Sequence, residues 1–111
     1  MVQYSDTRLA FAAISDPTRR GILKRLGRGS ASISELADAF TMTLTGIKKH
    51  VRVLEEAGLV ATQKEGRVRT CRLGPSTLDA ETAWIAEYRQ MVEDRYDRLE
   101  EFLERTKGED R

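Results

Sequence analysis

Hydroxyl and cationic side chains crowd one short stretch, Thr43, Thr45, Lys48, Lys49 and Arg52, with Leu44 and Gly46 on the same outer face. Two guanidinium groups, Arg67 and Arg69, follow in a second short stretch. Ammonium and guanidinium groups bind anionic oxygen and donate to base edges, and a threonine can hydrogen-bond a base or lay its methyl on a thymine methyl. The chemistry on offer is therefore to hold a polyanion and read its bases. Catalytic chemistry lacks its parts. There is one histidine, His50, and one cysteine, Cys71, with no nucleophile–base set, no glycine-rich phosphate loop and no cluster of metal ligands. The expectation is a binding protein, not an enzyme, with no cofactor and no metal.

Composition narrows the class further. At 111 residues, 40% hydrophobic and 33% charged, the chain fits one domain, too apolar for disorder and too polar for a membrane protein. No apolar run approaches the roughly 20 residues of a spanning helix. The opening Met1-Val2-Gln3-Tyr4-Ser5-Asp6 is no secretory signal. A lone cysteine excludes an internal disulfide and suits a reducing compartment, so the expected location is the cytoplasm, away from membranes. The net charge of +1 hides an asymmetry: residues 1–72 carry 13 Lys/Arg against 7 Asp/Glu, and residues 73–111 carry 6 against 11. A basic body joined to an acidic segment suits an anionic partner, although surface solubility alone accounts for such a balance too.

The elements that must position these groups can be read in order. Asp6 is a candidate cap for a helix with Leu9, Ala10, Ala13 and Ile14 on one side. Asp16 caps a second helix with Pro17 at its first position and Ile22, Leu23 and Leu26 at core spacing, ended by Gly27-Arg28-Gly29. Ser32 and Glu35 form a capping box for a third, carrying Ile33, Leu36, Ala37 and Phe40. After the short link Thr41-Met42-Thr43, Thr43 caps a fourth helix from Leu44 to about Ala57. It turns Ile47, Val51 and Leu54 inward, and Gly58 takes the left-handed position after it. Two short helices on a tight turn, the second polar outside, form a helix-turn-helix.

A hairpin follows: Leu59–Lys64, a turn at Glu65-Gly66, then Arg67–Leu73. Alternation places Arg67 and Arg69 on one face near its tip, where they suit phosphate or the minor groove. Gly74-Pro75-Ser76 breaks the strand. From about Thr77 to Arg105 there is no glycine or proline, and Leu78, Ile85, Val92 and Leu99 recur every seven residues. Tyr88, Tyr96, Phe102 and Leu103 widen that stripe, and Trp84 and Met91 flank it. A body this small cannot cover the whole stripe, so a partner chain is expected, the alternative being a helix folded back on its own domain. The fold class is mainly α (α+β): a winged helix-turn-helix with a two-stranded wing and a long C-terminal dimerisation helix. The boundaries are 1–75 for the body, 76–106 for the long helix and 107–111 for a frayed tail.

Several motifs in this order resemble the ArsR/SmtB family of bacterial winged-helix repressors. They are Ser15-Asp16-Pro17-Thr18-Arg19-Arg20-Gly21-Ile22-Leu23, Ser34-Glu35-Leu36-Ala37, Lys49 through Val60, and Gly66-Arg67 followed by Arg72-Leu73. The resemblance covers about residues 6–75. It implies a homodimer on the first and last helices that binds double-stranded DNA at a partly palindromic operator and lets go on a signal. By family position Leu44, Thr45, Lys48 and Lys49 approach base edges, while Arg52, Arg67 and Arg69 suit phosphate. Relatives often carry Gln or Ser where Leu44 and Lys48 stand. Leu9, Leu78, Ile85, Tyr88, Val92, Tyr96 and Leu99 are the expected dimer interface.

Many relatives sense metals through third-helix cysteines or last-helix histidines. Here Ser30-Ala31-Ser32-Ile33-Ser34 has no thiol and the last helix no histidine, so metal sensing of that kind is not expected. The effector is unknown. His50 either fills a boundary site or bonds a phosphate; Thr18, Arg19 and Arg20 either cap a helix or face the DNA backbone. Cys71 reads as a small strand residue. A winged helix used for protein contact without specific DNA binding is the alternative function.

Overall fold

The computed structural model describes residues 2–109, with side chains described for residues 7–107. Among these the order is α1 (Val2–Ile14), α2 (Pro17–Leu26), β1 (Ala31–Ser32), α3 (Ile33–Ala39), α4 (Leu44–Glu56), β2 (Val60–Glu65), β3 (Val68–Leu73) and α5 (Asp79–Glu109). Helix α1 begins ahead of the expected cap Asp6, which lies within its span and whose side chain is outside those described.

The other helix starts follow their caps. Asp16 accepts from the Arg19 amide at 3.0 Å, and Pro17 opens α2. At α3 both capping-box bonds form: the Glu35 amide donates to Ser32 Oγ at 3.1 Å and the Ser32 amide to Glu35 Oε1 at 3.0 Å. Both carboxyls are held below their ordinary values, 3.8 for Asp16 and 4.5 for Glu35. The first cause in each is a backbone N–H bond, from Arg19 and from Ser32. A carboxyl whose pKa drops on folding stabilises the fold while it is ionised. That contribution is present above the unfolded value and is lost as pH falls through the lower folded value. Thermal melting followed by circular dichroism is expected to hold steady from neutrality to about pH 5 and then decline. Glu35→Gln should lower the melting temperature at neutral pH and flatten part of the decline.

The turn between α3 and α4 has its own logic. The Met42 amide reaches back to the Ala37 carbonyl at 2.9 Å and the Thr41 amide to Asp38 at 3.3 Å, which closes α3 in a Schellman motif. This puts Thr41 at φ 52, a left-handed conformation that a β-branched residue rarely adopts. Helix α4 closes in the same way, now with Gly58 at φ 76 and the Leu59 amide bonded to the Leu54 carbonyl at 2.9 Å.

The sheet has three strands, not two. The short β1 pairs antiparallel with β3, Ala31 opposite Cys71 and Ser32 opposite Thr70, giving the order β1-β3-β2. The hairpin turn lies one residue later than expected. Glu65 pairs with Val68, so Gly66 and Arg67 are the two loop residues. Gly66 has φ 63 and Arg67 does not go positive, as in a type II′ hairpin with glycine first. The core gathers Ile22, Leu36, Ile47, Leu54, Val60 and Cys71, all fully buried. It joins the inner faces of α2, α3 and α4 to the sheet.

The chain divides between Leu78 and Asp79 into two units. Leu78 stands ahead of α5, at φ 60, and packs partly buried against the core of the first unit. It is therefore not on the helical stripe expected of it; the seven-residue row begins at Ile85. Helix α5 starts at Asp79, later than the expected Thr77, and its backbone stays helical to Glu109, past the expected fraying at 107. Residues 110 and 111 lie outside the described residues.

Candidate nucleic-acid interface

Helix α4 sorts its faces by the 3.6-residue period. Ile47, Val51 and Leu54 are buried, whereas Leu44, Thr45, Lys48, Lys49 and Arg52 are exposed. Thr43 is also exposed and accepts from the Gly46 amide at 3.0 Å, capping the positive end of the helix. Gly46 is half-buried, and a Cβ there would lie 3.1 Å from Met42 Cε and 3.2 Å from Thr43 Oγ1. The cap itself thus gives a reason for the glycine that helix propensity argues against.

The wing brings its cations to the same side as α4. Lys64 pairs with Arg69 across the β2–β3 ladder, and Arg67 sits in the loop at the tip. A concave groove is lined by Leu44 and Lys48 of α4, by Ser32, Ile33 and Ser34 at the β1–α3 junction, and by Lys64, Arg67, Val68 and Arg69 of the wing. Four of these carry positive charge and none is acidic. Such a groove concentrates positive potential on an anion within it. Thr45, Lys49 and Arg52 lie on the exposed surface of α4 and do not line this groove.

Ser32, Ile33, Ser34, Lys64 and Val68 were not among the sequence candidates. Lys64 was within reach of sequence reasoning, because any hairpin register that puts Arg69 on a face gives it a cross-strand neighbour. Ser34 was not: its place beside the wing depends on β1.

Arg69 is also held from within. Its Nη1 donates to Thr62 Oγ1 at 2.9 Å, and that hydroxyl donates to Glu55 Oε2 at 2.7 Å. Cys71 lies buried beneath the wing. Burial pushes its thiol pKa up, the Glu55 charge adds to the rise, and Arg69 opposes it. A thiol so placed has little thiolate character.

Asp16, Thr18 and Arg19 are half-buried and Pro17 and Arg20 exposed, and the two arginines bond back to α1. Arg19 Nε donates to the Ala13 carbonyl at 2.8 Å and Nη2 to the Ala12 carbonyl at 3.0 Å, which satisfies the open end of α1. Its Nη1 lies 3.3 Å from His50 Nδ1, and Asp16 Oδ2 lies 4.0 Å from the same nitrogen. Arg20 donates to the Ile14 carbonyl at 2.7 Å. These contacts favour structural roles for Arg19, Arg20 and His50 in fastening α1, α2 and α4.

In α5, taken by itself, Ile85, Tyr88, Tyr96 and Leu99 are exposed, as are Trp84, Met91, Phe102 and Leu103. Val92 is half-buried. Trp84 and Tyr88 stack with ring centroids 5.7 Å apart. Leu9, in α1, is half-buried. Among the described residues, no group of His, Cys, Asp and Glu could hold a metal ion, and no helix is long and apolar enough to cross a membrane.

Comparison with known proteins agrees with this geometry. A family profile described as a helix-turn-helix domain matches residues 14–63, which span α2 through most of β2. The transcriptional repressor SdpR of Bacillus subtilis is 30% identical over 78 residues, covering 70% of this chain and 87% of that protein. The crystal structure of an ArsR family transcriptional regulator, RHA00566, superposes with a TM-score of 0.72 at 44% identity, covering 80% of this chain and 92% of that one. The chain belongs to the ArsR family of winged helix-turn-helix transcriptional regulators. A homodimeric winged helix-turn-helix DNA-binding domain from Mycobacterium bovis, Mb0332, has a TM-score of 0.63 at 24% identity, covering 84% of this chain and 82% of that one, a likeness of fold alone. In this ArsR-family chain the helix-turn-helix is α3 and α4, and the wing is β2 and β3.

Proposed function

We propose that the chain is a homodimeric transcriptional repressor that binds a partly palindromic operator. Helix α4 enters the major groove and the wing lies along the backbone or minor groove. The observation that carries this reading is the acid-free groove, which joins Lys48 and Leu44 of α4 to Lys64, Arg67 and Arg69 of the wing. Thr45 and Lys49, exposed on α4, read base edges together with Leu44 and Lys48; Arg52, Arg67 and Arg69 neutralise phosphate. Self-association rests on the exposed apolar residues of α5, Ile85, Tyr88, Tyr96 and Leu99, with Val92 and with Leu9 of α1. Leu78, packed against the core of the first unit, is left out of this set.

Dimeric helix-turn-helix proteins present two recognition helices about 34–36 Å apart, one turn of the duplex. The role of repressor follows the relatives' names, and the chain's place is with the DNA it regulates, in the cytoplasm. No metal is called for, because His50 is occupied by Arg19 and Asp16, and Cys71 is buried.

The test is binding to the DNA upstream of the protein's own gene, compared with shuffled duplexes, for two variants. Arg67→Ala is expected to weaken every sequence alike, while Thr45→Ala changes the preference among sequences by about 1–3 kcal/mol at one position. Fluorescence anisotropy across a panel of single-base operator variants reads both. The reverse pattern means that the groove assignment is wrong. No preference in the wild-type chain for its own upstream DNA means that the reading as a sequence-specific regulator is wrong.

A further inference from the structure

Helix α4 ends on two acids, Glu55 and Glu56, with no basic residue in its last turn. A carboxylate at that end opposes the helix dipole, and on a helix that meets a polyanion it adds repulsion. Glu55 nevertheless has a partner. Its Oε2 accepts from Thr62 Oγ1 of β2 at 2.7 Å, and Thr62 in turn accepts from Arg69 Nη1 of β3 at 2.9 Å. The chain of bonds therefore runs from the recognition helix, through the base of the wing, to a cation that lines the basic groove. The threonine hydroxyl suits the middle place because it donates one bond and accepts another. Charged groups at both ends make each bond stronger than a neutral one.

We propose that Glu55 is a positioning residue for DNA binding: acting through Thr62, it fixes the Arg69 guanidinium and so sets the wing against the recognition helix. The proposal rests on the regulator reading above. Left to itself, an arginine on a two-stranded ribbon samples many rotamers, and binding must then order it at a cost. Tied at Nη1, Arg69 keeps its remaining N–H groups for phosphate and presents them at a fixed distance from Lys48. The helix and the wing then engage one duplex as a preset pair.

Thr62→Val is the decisive variant, since it deletes the hydroxyl, keeps the shape and leaves every charge in place. Affinity for a labelled duplex from upstream of the protein's own gene is measured by anisotropy at one fixed salt concentration. Thr62→Val is expected to weaken binding roughly 3- to 10-fold in the wild-type background and less than about 2-fold when Arg69 is already alanine, as coupled neighbours behave. Thr62→Ser should restore binding. Glu55→Leu is the second arm, and it is informative because removing an acid by itself favours a polyanion. A fall in affinity there supports the proposal, and a rise overturns it. Unchanged binding by Thr62→Val, or an equal loss in both backgrounds, also overturns it, the latter by showing a merely structural effect. If the wild-type chain ignores the duplex, the regulator reading fails and takes this proposal with it; wild-type binding with uncoupled variants sinks the proposal alone.

Discussion

Raising salt from 50 to 200 mM is expected to cut operator affinity roughly 10³–10⁵-fold, as it does for proteins that neutralise about 6–10 phosphates. The expectation comes from Lys48, Lys49, Arg52, Lys64, Arg67 and Arg69, which are exposed on the proposed DNA-facing side of one protomer. A dimer presents two such sets. Each phosphate neutralised releases condensed counterions, so a plot of log affinity against log salt should be linear, with a slope near −0.9 per phosphate on duplex DNA. Anisotropy titrations over a range of potassium chloride give the slope directly. Arg67→Ala should make it shallower by about 2, one phosphate from each protomer. A nearly flat salt response in the wild-type chain would falsify the contact scheme.

The second large effect concerns assembly. Leu99→Glu is expected to turn the proposed dimer into a monomer and to reduce operator affinity by roughly 10³-fold, the lower end of the gap between specific and non-specific binding. Leu99 is 52% exposed in the single chain, toward the C-terminal end of the apolar row on α5. Burying a leucine of this kind is worth about 1.5–3 kcal/mol, and a two-fold interface loses that twice. Each carboxylate would also have to be desolvated or left charged in an apolar seam, which costs more still. Light scattering coupled to size-exclusion chromatography reads the mass, and anisotropy on the same samples reads the affinity. A Leu99→Glu protein that stays dimeric would move the interface away from this face of α5.

Local signals in the sequence were legible where one side chain settles one backbone question. Ser32 and Glu35, Asp16 with Pro17, Thr43, and Gly58 all did what their types dictate, because a cap is decided within four residues. Outcomes that depend on distant partners were harder to read. Strand β1 is two residues long and has no periodicity to detect; it exists because Ala31 and Ser32 find Cys71 and Thr70 on β3. The hairpin turn slipped by one residue because Glu65 pairs with Val68, which leaves Arg67 in the loop and takes it out of the alternation argument. Leu78 fell on the seven-residue row by spacing, yet its backbone leaves the helical region and its side chain goes to the core.

The candidate site divides along the same line. The exposed face of α4 was legible from Thr43 to Arg52, since helical period alone fixes it. The use made of Arg19 was open from the sequence, because the carbonyls it binds belong to the preceding helix and its histidine neighbour lies on α4. The tie from Glu55 to Arg69 was likewise hidden. Nothing in the spacing of residues 55, 62 and 69 announces a bond until a helix, two strands and a turn have been folded.

With Leu78 removed, the apolar row of α5 reads Ile85, Tyr88, Val92, Tyr96, Leu99 and Leu103. Its first and last members stand eighteen residues apart, which is five whole turns at 3.6 residues each. A pattern repeating only every seven residues would slip about 20° per repeat and force two helices to wind around each other. Ile85, Val92 and Leu99 keep to that repeat, while Tyr88, Tyr96, Phe102 and Leu103 spread the apolar surface to either side of it. The result is a band about 27 Å long and broader than the single narrow seam of a two-stranded coil.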